Sequence, residues 1–256
     1  DYNATAARSV SQEEFFKLFR EEASALIMLP NHANLARFVT FDLAARPKPI
    51  LVMELITGLS MDRLIRSRSL TMDRAFRYLD GIAAGLETMH GVGVGHLDIK
   101  PSNVIMRDGE TPVLVDFGLS GRHLRPGCGT LEFCAPEVLG IHDPSFHPAP
   151  QGADIYAFGC LAYELLAAET LFQAEGETAI LSLHVQHDGW PERVARLGRD
   201  SVLADLGKFI ASCLRRDPRQ RPTAAQTRAA LGPLAKKYKN VQWPLPLPAA
   251  RAQRAG

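Results

Sequence analysis

Gly95-His96-Leu97-Asp98-Ile99-Lys100-Pro101-Ser102-Asn103, followed downstream by Asp116-Phe117-Gly118, is the part of the chain whose reading decides the rest. Each segment ends a short β-type run, Gly91 to Gly95 and Val113 to Val115, so both are expected as loops on a packed scaffold. Loops held that way commonly carry chemistry.

The residue types suit phosphoryl transfer. That reaction needs metal ions to neutralise phosphates, a cation on the transferred group and a carboxylate to orient the attacking hydroxyl. Asp98 can orient the hydroxyl, Lys100 can sit on the γ-phosphate, and Asn103 with Asp116 can offer oxygens to Mg²⁺. Either motif alone would be weak evidence, because an Asp that merely caps a turn is commoner than a catalytic one. Their order and separation carry the weight.

The pattern H-x-D-x-K-x-x-N followed by D-F-G resembles the eukaryotic-type (Hanks-type) serine/threonine protein kinases. The resemblance implies an α+β, two-lobe fold with a mainly helical large lobe and a partial small lobe. It implies ATP and Mg²⁺ as cofactors and a protein Ser or Thr hydroxyl as acceptor. Three regions follow: 1–56 as the partial small lobe, 57–238 as the large lobe, and 239–256 as a Pro-rich tail or linker.

Bulk properties agree with an ordinary soluble globule: hydrophobic residues make up 46% and charged residues 22% of 256. Lys plus Arg at 29 nearly cancels Asp plus Glu at 28, so no global field draws the chain to nucleic acid or an anionic membrane. The four cysteines lack C-x-x-C spacing, which argues against zinc and a disulfide framework and suggests free thiols in the cytoplasm. No apolar run approaches the ~18 residues of a membrane span.

Ser11-Gln12-Glu13-Glu14 is a capping-box pattern opening an amphipathic helix that Pro30 closes. Glu22 lies among Phe15, Leu18, Phe19, Leu26 and Leu29 at helical spacing. By composition alone it sits at the stripe's edge in water. By resemblance it is the regulatory-helix glutamate that pairs with a strand lysine, and His32-Ala33-Asn34-Leu35 is the H-x-N turn after it. The segment Asp1 to Val10 contains no such lysine and no glycine-rich phosphate loop. The expectation is that the first small-lobe strands belong to sequence upstream of Asp1; a natural chain that has discarded them is the alternative.

Leu35 to Phe41 and Pro49 to Ile56 read as two strands, resembling the last two of the small lobe. Met53-Glu54-Leu55-Ile56 then resembles the hinge, with Met53 at the back of a nucleotide pocket and the backbone near Glu54 and Ile56 on the adenine edge; a plain buried strand end accounts for the same side chains. Helices are expected at Met61 to Ser67 and Thr71 to His90. The resemblance gives His96 a packing role beside Phe117 and makes Ile105 core under the adenine.

Leu97 stands where regulated family members carry the Arg that receives a loop phosphate, so loop phosphorylation is not expected to be needed. Ser120 and Thr130 are the only hydroxyls between Ser120 and Cys134. Gly129-Thr130 and Ala135-Pro136-Glu137 resemble the end of the activation segment, which implies that Thr130 bonds Asp98 and Lys100 and that Glu137 pairs with Arg221. Asp154 is expected at the start of the most apolar helix, supporting the catalytic loop, after a loop from Gly140 to Gly152. Thr178 to His187, Ser201 to Arg215 and Thr223 to Tyr238 read as the last three helices. The rival from a different class is a non-catalytic kinase-like scaffold (a pseudokinase) that binds protein partners. Small-molecule kinases of the aminoglycoside and choline type share H-x-D…N but normally lack Lys100, the G-T…A-P-E segment and the Glu137/Arg221 pair.

Overall fold

The structure, a computed structural model, describes residues 26–42, 45, 50–124 and 127–247. The expected first helix, with Glu22, lies outside them apart from its last residues, where Leu26 and Ile27 are helical.

Two antiparallel pairs and seven α-helices make up the described fold. Strand β1 (Phe38–Asp42) pairs with β2 (Ile50–Met53), with a register irregularity between Phe38 and Thr40. Strand β3 (Val104–Arg107) pairs with β4 (Thr111–Leu114). Asp108 and Gly109, at φ 54° and 72°, take the left-handed conformations that reverse the chain in the three-residue connection between Arg107 and Thr111. The helices are α1 (Met61–Ser67), α2 (Met72–Gly91), α3 (Pro150–Ala167), α4 (Glu177–Val185), α5 (Glu192–Arg199), α6 (Ala204–Cys213) and α7 (Ala224–Tyr238).

Helix α2 begins where Thr71 accepts the Arg74 N–H, and it buries Phe76, Leu79, Ile82, Leu86 and Met89 along one face. Asn34 of the H-x-N turn donates to the Pro112 carbonyl at 2.7 Å, and the Leu114 N–H donates to the Asn34 carbonyl at 2.9 Å. The β3–β4 hairpin is thereby pinned between this turn and α2. Helix α3 is apolar on nearly every face and buried on nearly every face, as a helix without a polar stripe must be. Helix α7 opens on a Thr223/Gln226 capping box. No described helix is long and apolar enough to cross a membrane.

Several local expectations are corrected. Gly91 ends α2, and Gly95 makes only an isolated bridge to Gly121, so Gly91 to Gly95 is not a strand. The strand expected over Leu35 to Phe41 starts at Phe38, because Leu35 instead bridges Leu114 in parallel. Helix α3 starts at Pro150, whose missing N–H suits a first turn; Asp154 therefore lies a turn inside the helix, and the loop before it is shorter than Gly140 to Gly152.

Among the described residues four helices follow α3 rather than three. The additional one, α5, is short and highly charged and buries only Val194 and Leu197, which gave little apolar period to read. The segment 239–256 is no free tail over its described part. Trp243 and Leu245 are buried, with Trp243 Nε1 donating to the Leu165 carbonyl and the Leu245 N–H to the Leu166 carbonyl. A helix C-terminus leaves such carbonyls unpaired, and the docked chain satisfies them.

Candidate active site

The catalytic-type loop is held from below. Asp154, fully buried, accepts the His96 N–H on Oδ2 at 2.8 Å and the Leu97 N–H on Oδ1 at 2.7 Å. His90 Nε2 lies 2.9 Å from Oδ2. These bonds hold Leu97 at φ 65°, a left-handed conformation that a branched residue adopts only when its surroundings impose it. A Cβ on Gly95 would lie 2.6 Å from that of Pro150 and 3.2 Å from Asp154 Oδ2, so only glycine admits this approach of loop to helix.

His96 is buried, its ring 5.2 Å from that of Phe117. Its Nε2 lies 3.1 Å from the Val115 carbonyl, which can only accept, so Nε2 carries the proton and Nδ1 accepts the Asp98 N–H at 3.4 Å. Burial lowers the His96 pKa, against the opposing pull of the Asp154 and Asp98 carboxylates, which suits this neutral tautomer.

Three site residues meet at Asp98. Thr130 Oγ1 donates to Asp98 Oδ1 at 3.0 Å and accepts from Lys100 Nζ at 2.7 Å. Lys100 Nζ also lies 2.8 Å from Asp98 Oδ2. Asn103 Nδ2 spends both protons on Asp98, on Oδ2 at 2.8 Å and on the backbone carbonyl at 2.9 Å. Every bond on the Asp98 carboxylate is one it accepts, which fixes its orientation as an anion. The Asp98 side chain remains 11% and that of Lys100 23% exposed, so both can be reached.

Asp116 is exposed and at φ 63°, its Oδ1 accepting the Gly118 N–H at 3.3 Å. With its amide protons used, Asn103 presents its side-chain carbonyl as the available end. A neutral carbonyl and an exposed carboxylate are hard oxygen donors, a set that fits Mg²⁺.

Farther out, Met53 ends β2, half-buried against the core. The Glu54 N–H donates to the Arg37 carbonyl at 2.8 Å, while its carboxylate accepts from Arg107 at 2.9 Å and the Arg37 N–H at 3.2 Å. The Glu54 side chain is thus tied to β3. Leu55 is exposed and Ile56 half-buried; among the described residues neither makes a backbone–backbone hydrogen bond.

Ile105 is only half-buried, which corrects its expected place in the core. Val104 and Met106, on the opposite face of β3, are the core residues, as strand alternation dictates. Ile105 faces instead the linker between β2 and α1, residues 54–60, its Cγ2 3.6 Å from where a Gly58 Cβ would lie. That same Cβ would sit 2.1 Å from the Met106 carbonyl oxygen, so the linker presses on the hairpin as only glycine allows.

Glu137 and Arg221 are buried and joined by two bonds, of 2.5 and 2.9 Å. Arg221 also donates to the Gly152, Arg215 and Arg216 carbonyls and lies 4.9 Å from the centre of the Tyr156 ring. Sequence reasoning gave no supporting role to His90, Gly95 or Ser120. Ser120 is buried, its hydroxyl donating to the His96 carbonyl at 3.1 Å. Gly95, directly before the motif, carried a readable signal; the other two did not.

The loop thus holds an oriented carboxylate with a cation and an amide bonded to it, and the exposed carboxylate of Asp116 follows on the next segment. The chain belongs to the protein kinase family: residues 4–230 match the protein kinase domain. It is 26% identical to the serine/threonine-protein kinase PknB of Mycobacterium tuberculosis, over 85% of this chain and 36% of PknB. It is 32% identical to human serine/threonine-protein kinase H1, over 76% of this chain and 46% of that protein. A probable serine/threonine-protein kinase of Clostridium acetobutylicum is 28% identical over 82% of this chain and 32% of its own length. The chain therefore spans less than half the length of these relatives.

Proposed function

We propose that this chain is the catalytic part of a serine/threonine protein kinase, transferring the γ-phosphate of ATP to a protein hydroxyl. The observation that carries the reading is the closed set of bonds joining Asp98, Lys100, Asn103 and Thr130. Asp98 receives and orients the acceptor hydroxyl. Lys100, already neutralising Asp98, supplies positive charge beside the transferred group. Thr130 keeps both in register, and Leu97 leaves that register independent of a loop phosphate.

Asn103 and Asp116 would hold Mg²⁺, which when bound neutralises the phosphate oxygens and draws charge toward the leaving group. Met53, Glu54, Ile56 and Ile105 line the side expected to receive the adenine, with Ile105 reaching it across the linker face rather than from the core. Glu137, Asp154, Arg221, His96 and Phe117 build the support beneath. Glu22 takes the regulatory-helix role that the resemblance gives it.

The test is an assay of the full-length protein with γ-labelled ATP, Mg²⁺ and a mixed protein substrate, followed by identification of the labelled residue. Phosphoserine or phosphothreonine is expected. Label on tyrosine alone would overturn the acceptor class, and binding of partners with no transfer by the intact protein would favour a scaffold.

A further inference from the structure

Beneath the segment that carries Thr130 lies a buried polar group that the proposed chemistry does not use. His184 in α4 and Tyr156 in α3 are fully buried, and His187 nearly so. The Tyr156 hydroxyl lies 2.8 Å from His184 Nδ1 and 3.4 Å from His187 Nε2. One hydroxyl has one proton and can donate to only one of these rings.

The direction of the chain is fixed at its far end. The Gly189 N–H donates to His187 Nδ1 at 3.1 Å, so that nitrogen has no proton and His187 is the Nε2–H tautomer. His187 Nε2–H therefore donates to the Tyr156 oxygen, and the Tyr156 proton goes to His184 Nδ1. The proton of His184 is left on Nε2.

That nitrogen is buried and meets no partner at good hydrogen-bond geometry among the described residues; the group it faces is the Leu131 backbone carbonyl, on the 3₁₀ turn packed against α4, which draws the ring's pKa up against the larger effect of burial. Buried donors are almost always paired, so an unpaired one with a fixed direction calls for a reason. Leu131 follows Thr130 and opens the 3₁₀ turn Leu131–Phe133, for which Thr130 is the N-cap. The His184 ring cannot easily turn away: its centre is 4.0 Å from that of Phe172 and 5.6 Å from that of Tyr156. Tyr156 is in turn covered by Arg221 of the Glu137 pair.

We propose that His184 is a positioning residue: its Nε2–H closes onto the Leu131 carbonyl as the segment tightens on substrate, and so fixes Thr130 against Asp98 and Lys100. Hydrogen bonds of catalytic sites are often long in the free protein and shorten in the working complex. This role rests on the kinase reading above and adds to it a residue outside the catalytic loop.

The experiment measures the single-turnover rate of phosphate transfer and the KM for ATP in full-length protein carrying His184→Leu or His184→Gln. Losing one neutral hydrogen bond in the transferring complex should slow His184→Leu about three- to tenfold with KM for ATP unchanged. His184→Gln, whose amide nitrogen reaches where Nε2 lies, should stay within about twofold of the unaltered protein, a rescue that a packing role would not give. Imidazole ¹⁵N NMR should show the Nε2–H tautomer for both His184 and His187.

Transfer by His184→Leu at the original rate, glutamine no better than leucine, or an Nδ1 proton on His184 would each overturn the role. Should His184→Leu fail to fold, Tyr156→Phe frees His184 to change tautomer and should slow transfer in the same way; an unchanged rate there overturns it equally. Absence of transfer by the unaltered protein would sink the kinase reading and this role together, whereas transfer indifferent to His184→Leu sinks this role alone.

Discussion

Asp98 and Asp154 show two uses of the same side chain on either side of one loop. Asp154 is fully buried and its carboxylate accepts two backbone N–H groups of that loop. Asp98 keeps a reachable carboxylate, oriented by Thr130, Asn103 and Lys100. The buried acid builds the loop's geometry, and the open one is where the proposed chemistry lies. Substitutions in the two regions should therefore fail in opposite ways, one losing rate without stability and the other stability first.

The largest separation is expected from Asp98→Asn. Removing a positioned acid–base group lowers transfer by about 10²- to 10⁴-fold, while Mg²⁺-ATP binding and the thermal midpoint should change little. The measurement pairs a transfer assay with nucleotide-binding calorimetry; near-normal turnover would remove Asp98 from the role given to it. Glu137→Ala should do the reverse. It strands the Arg221 guanidinium in the interior, where breaking a buried pair costs about 3–5 kcal/mol. Chemical denaturation should register that loss, with the fraction still folded retaining transfer. A Glu137→Ala protein of normal stability would refute the division from the other side.

Acid should weaken the lower region before it touches the loop. Burial pushes the pKa of His184 and of His187 down from 6.5 to about 4, assisted by His187 beside His184 and by Arg216 and Arg221 against Asp188 around His187. The folded state therefore resists a proton that the unfolded chain accepts. Their contribution is complete above pH 6.5 and is lost as pH falls toward 4, with about 2 kcal/mol gone per histidine by pH 5. Replacing His187 with a neutral residue should flatten that slope in denaturation curves between pH 7 and 5; an unchanged slope would mean the histidines are not its source.

The same contrast explains what could be read in advance. Asp98, Lys100, Asn103 and Asp116 were legible because their residue types suit phosphoryl transfer, whereas Thr130, Glu137 and Arg221 were legible only through the resemblance, and the structure joins Thr130 to Asp98 and Lys100 and Glu137 to Arg221. The scaffold's details were less so. Helix α5 is charged and short, and the hairpin β3–β4 was read only in its second strand, although Asp108-Gly109 between apolar runs is a strong turn signal. Trp243 and Leu245 lie in a Pro-rich stretch that forms no element of its own, so nothing local says that the end of α3 will take them up. The orphan proton of His184 depends on a chain of tautomers running from Gly189, which no spacing encodes.

The smallest effect tests whether the loop needs a phosphate at all. Ser120 and Thr130 are the only hydroxyls from Ser120 to Cys134, and both are engaged, Ser120 with the His96 carbonyl and Thr130 with Asp98 and Lys100. A phosphate on Ser120 would have to occupy a fully buried position beside a carbonyl that repels it. Leu97 offers no cation to receive one, and Asp154 already fixes the loop through its backbone. Phosphatase treatment should accordingly leave transfer unchanged, and Ser120→Ala should cost about 1 kcal/mol of stability, the worth of one hydrogen bond. A large loss of transfer after phosphatase would mean that the open region is set by modification as well as by the buried carboxylate beneath it.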